Sequence, residues 1–112
     1  MASSAPLNII PRKFCETSIT PQYTAVNCRT VIDKFTATNV SGGNVLFSAY
    51  LVPSGGSAAD SNLIIQSQTI TPGQCYEAFE LVGQSLLPGG FIACVSSGAS
   101  ALVLSATGRE FT

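Results

Sequence analysis

The side chains able to do chemistry in this chain are few, and their spacing suits little of it. The thiols are Cys15, Cys28, Cys75 and Cys94. No two of them have the short spacing of a zinc site, and the chain has no histidine to complete one. The same lack removes the ordinary Ser-His and Cys-His nucleophile pairs. Glu77 and Glu80 are the acidic pair close in sequence. Three residues apart on a strand, they would point to opposite faces and could not act together as acid and base. Val52-Pro53-Ser54-Gly55-Gly56-Ser57 could turn backbone N–H groups toward an anion, but it contains no lysine and no helix follows it. Asn39-Val40-Ser41 matches a glycosylation sequon, which carries meaning only in a secreted chain. No catalytic residue, cofactor-binding residue or metal ligand is assigned, and the chain is expected to be non-enzymatic. The thiols are expected to be reduced and structural, since free cysteine behaves as a small buried hydrophobe.

The elements that carry these residues are β-strands. Thr30 to Val40 is rich in β-branched and aromatic residues. Strand alternation puts Val31, Phe35 and Ala37 on one face and Ile32, Lys34, Thr36 and Thr38 on the other. Ser41-Gly42-Gly43-Asn44 supplies a turn, so the strand is expected to fold back on Val45 to Val52. That second strand is apolar on both faces, which requires a cover on each. Asn62 to Ile70, Cys75 to Val82, Phe91 to Ser96 and Ala101 to Thr107 follow, the last two as an expected hairpin. Thr71-Pro72-Gly73-Gln74 has the type II turn signature, and Pro88-Gly89-Gly90 marks a second turn. Arg12 to Ser18 and Gln22 to Cys28 form a shorter pair around Pro21. Seven or eight short strands punctuated by turns predict an all-β, antiparallel sandwich, Ig-like or jelly-roll-like.

Residues 1–11 contain Pro6 and Pro11 and are expected to form an extended N-terminal arm, leaving a single sandwich domain over 12–112. Leu7, Ile9 and Ile10 would then anchor the arm on another chain, and Leu46 and Tyr50 would present the outer face of their strand to a partner. Composition favours assembly. Charged residues make up 10% of the 112-residue chain and hydrophobic ones 46%, leaving a surface with little charge to oppose association. The net charge of −1 speaks against binding nucleic acid through its phosphates. Arg12, Lys13, Arg29 and Lys34 lie early, whereas Asp60, Glu77, Glu80 and Glu110 lie late, an asymmetry that copies could use to pair. No secretory signal is visible at the start, and no apolar run is long enough for a membrane helix, so synthesis in a cytoplasm is expected.

The run Arg29-Thr30-Val31-Ile32-Asp33-Lys34-Phe35-Thr36-Ala37-Thr38-Asn39, then Leu51-Val52-Pro53-Ser54-Gly55-Gly56-Ser57-Ala58 with Asn62 and Ile65, resembles small virion proteins of tailed bacteriophages. So do Pro72-Gly73, Leu86-Leu87-Pro88-Gly89-Gly90-Phe91-Ile92-Ala93 and Ser105-Ala106-Thr107-Gly108-Arg109-Glu110. Gly90-Phe91 departs from the Gly-Asp of that pattern, and the four cysteines are not part of it. The resemblance implies a structural virion component made in a bacterial host, with copies of itself and other virion proteins as partners and no cofactor. A capsid decoration or cement protein is the first expectation, and a neck, tail or fibre-attachment protein the alternative. A carbohydrate-binding module ranks below both. Trp is absent, and Tyr23, Tyr50 and Tyr76 are the obvious rings for stacking on a sugar.

Overall fold

The described residues fold into nine strands: β1 (Ser4–Phe14), β2 (Thr20–Thr24), β3 (Arg29–Asn39), β4 (Val45–Val52), β5 (Leu63–Ile70), β6 (Cys75–Glu77), β7 (Ser85–Leu86), β8 (Phe91–Ser96) and β9 (Leu102–Phe111). The computed structural model describes residues 4–111, with side chains from Leu7 onward. One sheet has the order β1-β9-β3-β6, with β7 also on β3, and the other has the order β2-β8-β4-β5. The pairs are nested. β1 lies on β9, β2 on β8, β3 on β6 and β7, and β4 on β5, all antiparallel. A long folded-over ribbon wrapped into two sheets in this way is a jelly roll, which settles the choice between the two expected sandwich types.

The core between the sheets follows from strand alternation. Ile32, Phe35, Ala37, Leu104 and Ala106 face Phe47, Ala49, Ile65, Ile92 and Cys94, and all are buried. The rings of Phe35 and Phe47 meet across the gap with centroids 6.0 Å apart. Two departures from simple alternation matter. A bulge at Asp33 shifts the register of β3 on β9 between Ile32 and Lys34, so Thr30 and Ile32 face inward before it and Phe35 and Ala37 after it. Ile32 therefore takes the core position that alternation gave to Val31. Opposite Ile32, Gly108 leaves room for the backbone: a Cβ there would stand 2.6 Å from the Val31 carbonyl oxygen.

The expected arm is a strand of this sheet. β1 pairs with β9 from Ser4↔Phe111 to Phe14↔Val103, with register shifts between Asn8 and Ile10 and between Ile10 and Lys13. The first shift turns consecutive side chains inward, so Ile9 (5% exposed) and Ile10 (0%) both enter the core of their own domain. Leu7 packs partly buried against the same core. The prolines are tolerated because β1 is an edge strand, where a missing N–H costs no ladder bond on the open side. The division at residue 11 is thus replaced by one sandwich that includes β1. Residues 1–3 of the expected arm lie outside the described residues.

The expected hairpins are also rearranged. β3 and β4 lie in different sheets, as do β8 and β9 and β1 and β2, so the turns between them cross the sandwich. The Val40–Asn44 crossing is held by a side chain. Asn39, fully buried, donates from Nδ2 to the carbonyls of Gly43 and Ile70, both at 2.8 Å. Its Oδ1 accepts from the Ser41 N–H at 2.8 Å and the Ser41 hydroxyl at 2.7 Å. Its backbone exchanges bonds of 2.9 Å with Gln74 and Gly73 in the β5–β6 turn. Gly42 and Gly43 are not in the left-handed region; the Asn39 and Ser41 bonds shape this turn instead. The Pro-Gly turns are as read: Gly73 has φ +79° and Gly89 φ +87°, with Gln74 N–H on Thr71 O and Gly90 N–H on Leu87 O.

Three thiols belong to the core. Cys15, Cys28 and Cys94 are buried, Cys75 is exposed, and all four are free. Burial, helped by the neighbouring Glu16 carboxylate, pushes the Cys15 thiol up to about 12. Burial also raises Cys94 well above an ordinary thiol. Both are thereby removed from thiolate chemistry.

Alkylation of the native protein at pH 8 should label Cys75 alone, and alkylation in denaturant without reductant should label all four; fewer than four in denaturant would mean disulfides. Deleting residues 1–11 should abolish the cooperative unfolding transition. It removes Ile9 and Ile10, each contributing about 1.5–3 kcal/mol by burial, and uncovers β9. A truncated protein that melts like the full chain would restore the arm.

Candidate interaction surfaces

The residues singled out for partner binding divide between core and surface. Ile9 and Ile10 are inside, and Leu7 is largely covered. Leu46 and Tyr50 share the outer face of β4, Leu46 43% exposed and Tyr50 half-buried, with Ser48 between them. That face is only partly open. Val52 and Ala93 also point outward yet are buried, Val52 beneath the Pro53–Gly56 turn, whose Gly56 N–H donates to the Pro53 carbonyl. The glycine-rich loop thus uses that donor internally and serves as a cover. The second cover that β4 requires is in part its own chain.

Two of the three tyrosine hydroxyls are engaged. Tyr23 on β2 donates to Glu110 on β9 and shares a 2.6 Å hydrogen bond with the buried Thr30 of β3. Burial, followed by the Glu110 contact, raises the Tyr23 hydroxyl well above its ordinary value. Tyr76 donates to Glu80 at 2.7 Å, and burial with that bond pushes it up to about 12. Tyr23 therefore ties one sheet to the other rather than offering a ring to a ligand. Asn39 of the sequon is consumed in the β3–β4 crossing, its amide nitrogen carrying two bonds inside the fold.

Glu77 and Glu80 are not on one strand. β6 ends at Glu77, and residues 78–84 form a chain of tight turns at the edge of β3, with Leu81 N–H on Ala78 O and Val82 N–H on Phe79 O. Ala78 and Leu81 plug the core while Phe79 (72% exposed) and Val82 stand in solvent. The sequence reading missed Phe79. The signal was there: Ala78 and Leu81, like Phe79 and Val82, are three apart, a turn spacing rather than a strand spacing. Phe14, Val26 and Leu87 are further exposed apolar side chains outside the original set.

Charge is sparse and local. Lys13 pairs with Glu16 at 2.8 Å, and this bond, with one from Gln22, holds the Glu16 carboxyl below the usual carboxylate range. Arg109 clamps Asp33 with Nε and Nη2 at 3.1 Å, next to the β3 bulge. Arg29 and Arg109 both lie 5.9 Å from the centroid of the Phe111 ring. Arg29, expected at an intermolecular contact, is thus occupied within its own chain. Among the described residues, no three His, Cys, Asp or Glu side chains are grouped to hold a metal. No helix among them is long and apolar enough to cross a membrane.

No protein-family model matches the sequence, and no curated protein matches it. Comparison with solved structures finds a chain in the structure of infectious bursal disease virus, Gx strain, at a TM-score of 0.52 and 13% sequence identity. The match covers 99% of this chain and 32% of that one, so the protein spans about a third of the length of the chain it resembles. What the two have in common, at this identity, is the fold: the entire sandwich, β1 included, superposes on part of a larger viral chain.

Proposed function

We propose that this protein is a non-enzymatic structural component of a virus particle, acting by packing against copies of itself and other virion proteins. The observation that carries this reading is the strand order. A jelly roll is the architecture of viral capsid domains, among others, and the chain it resembles comes from a virus structure. Lectins and cupins share the architecture, but here the tyrosine rings are partly covered, two of their hydroxyls are bonded internally, and no histidine is present for a metal. A surface with few charges and exposed Phe14, Val26, Leu46, Phe79 and Leu87 is inexpensive to desolvate on assembly.

Within this reading, a capsid decoration or cement protein is the first candidate and a neck, tail or fibre-attachment protein the alternative; the resemblance to tailed-phage proteins is common to both. Attachment to the particle falls to the sandwich faces, including Leu46 and Tyr50 on β4, since β1 is committed to the fold. Quantitative mass spectrometry of purified particles of the encoding virus tests this. A copy number in the hundreds is the expected outcome; on the order of ten would mean the neck or tail. Absence from the particles would overturn the proposal.

A further inference from the structure

The two edges of the β1-β9-β3-β6 sheet complement each other in three independent respects: charge, height and strand direction. At one edge, the shift between Ile10 and Lys13 sets Pro11 and Arg12 together opposite Ser105 of β9, and Arg12 borders the same shallow surface hollow as Ser105. Ser105 pairs with Thr36, and Thr36 pairs with Glu77 on β6 at the other edge. Arg12, Ser105, Thr36 and Glu77 therefore form one row straight across the sheet. Its middle residues are half-buried on the solvent side, and its two charged ends are exposed. Among the described residues, neither Arg12 nor Glu77 has an ion-pair partner. The other charges at these edges are Lys13 and Glu16, which pair with each other, Glu80, held by Tyr76, and Lys34 on β3.

Strand direction agrees with charge. The four strands alternate in direction, and four is an even number, so a second copy displaced sideways without inversion meets β6 with an antiparallel β1. That displacement sets Glu77 beside Arg12 of the next copy and Cys75, two residues back, beside its Phe14. Phe79, the most exposed aromatic, projects from the same edge just beyond Glu77.

We infer that copies of this chain associate head to tail through these edges, β6 and the 78–84 turns of one against the Arg12–Phe14 end of β1 of the next, with Glu77–Arg12 as the cross-contact. The partner is a second copy because both halves of the contact are on one chain and match in height. Pro6 and Pro11 on one edge and the three residues of β6 on the other limit main-chain pairing, so side chains dominate and the contact is salt-sensitive. A heterologous contact between twisted sheets produces a ring or a filament, not a closed dimer. This inference deepens the reading of the chain as an assembling subunit.

The test uses the full-length protein and three variants in sedimentation velocity at micromolar concentration and low salt. Wild type should associate and dissociate as salt is raised. Arg12→Glu and Glu77→Arg should each weaken association by about tenfold or more, because each makes the two edges alike in charge. The double variant R12E/E77R, and an equimolar mixture of the two single variants, should recover it. A monomeric wild type, single variants that associate normally, or a double variant that does not recover would each overturn the inference. Unchanged thermal melts for the variants show that folding is not the variable measured. The experiment is independent of the copy count in particles, so either result can fail without the other.

Discussion

The corner at Asn39 is the constraint on which the two-sheet architecture depends. A chain that leaves one sheet and enters the other must pass through irregular backbone, and buried backbone polar groups need partners. Here one amide side chain supplies them at the point where two crossings meet. It bonds the β3–β4 turn through Gly43 and Ser41, and the end of β5 through Ile70, while its own backbone bonds the β5–β6 turn. Both donor hydrogens are used, and the carbonyl oxygen accepts twice. No other common side chain of this size offers two donors and an acceptor on so short a stem.

At the opposite end of the sandwich, the Tyr23–Thr30–Glu110 group does a related job, joining β2 of one sheet to β3 and β9 of the other. Between these two polar ties the core is apolar and the strands are free to bulge. The bulges have consequences. One brings Ile9 and Ile10 into the core together and so makes β1 part of the domain. Another puts Asp33 where Arg109 can clamp it, beside Gly108, whose missing side chain lets β3 and β9 approach. The second shift in β1, between Ile10 and Lys13, sets Arg12 level with Glu77 across the sheet, which is how local strand geometry comes to determine the proposed mode of assembly.

How much of this could be read from the sequence depends on how local the cause is. The Pro72-Gly73 and Pro88-Gly89 turns were legible because proline and glycine restrict or permit φ at single positions. The strands themselves were legible from β-branched content and alternation. Partnership was not: Ser41-Gly42-Gly43-Asn44 looks the same whether the chain doubles back within a sheet or crosses to the other one. Bulges were also hidden, since alternation alone gave Val31 the core position that Ile32 holds. The β1 segment reads as an arm because its prolines forbid a central strand, whereas an edge strand accepts them. On the surface, Leu46 and Tyr50 were placed correctly on the outer face of β4, but Phe79 was assigned to a strand that stops at Glu77. The asparagine of the Asn39-Val40-Ser41 sequon is central for a structural reason that no motif expresses.

An Asn39→Ala variant tests the central claim most directly, with equilibrium denaturation followed at once by tyrosine fluorescence and far-ultraviolet circular dichroism. Removing the amide takes a donor from the buried Ile70 carbonyl and an acceptor from the Ser41 N–H, at about 1–3 kcal/mol for each group that water cannot reach, while the Gly43 carbonyl keeps the Ser41 hydroxyl. The account predicts a loss of at least about 2 kcal/mol, with both probes still reporting one transition if the sheets remain joined at the Tyr23 end. A midpoint within about 0.5 kcal/mol of wild type, the range of an ordinary surface substitution, would contradict it.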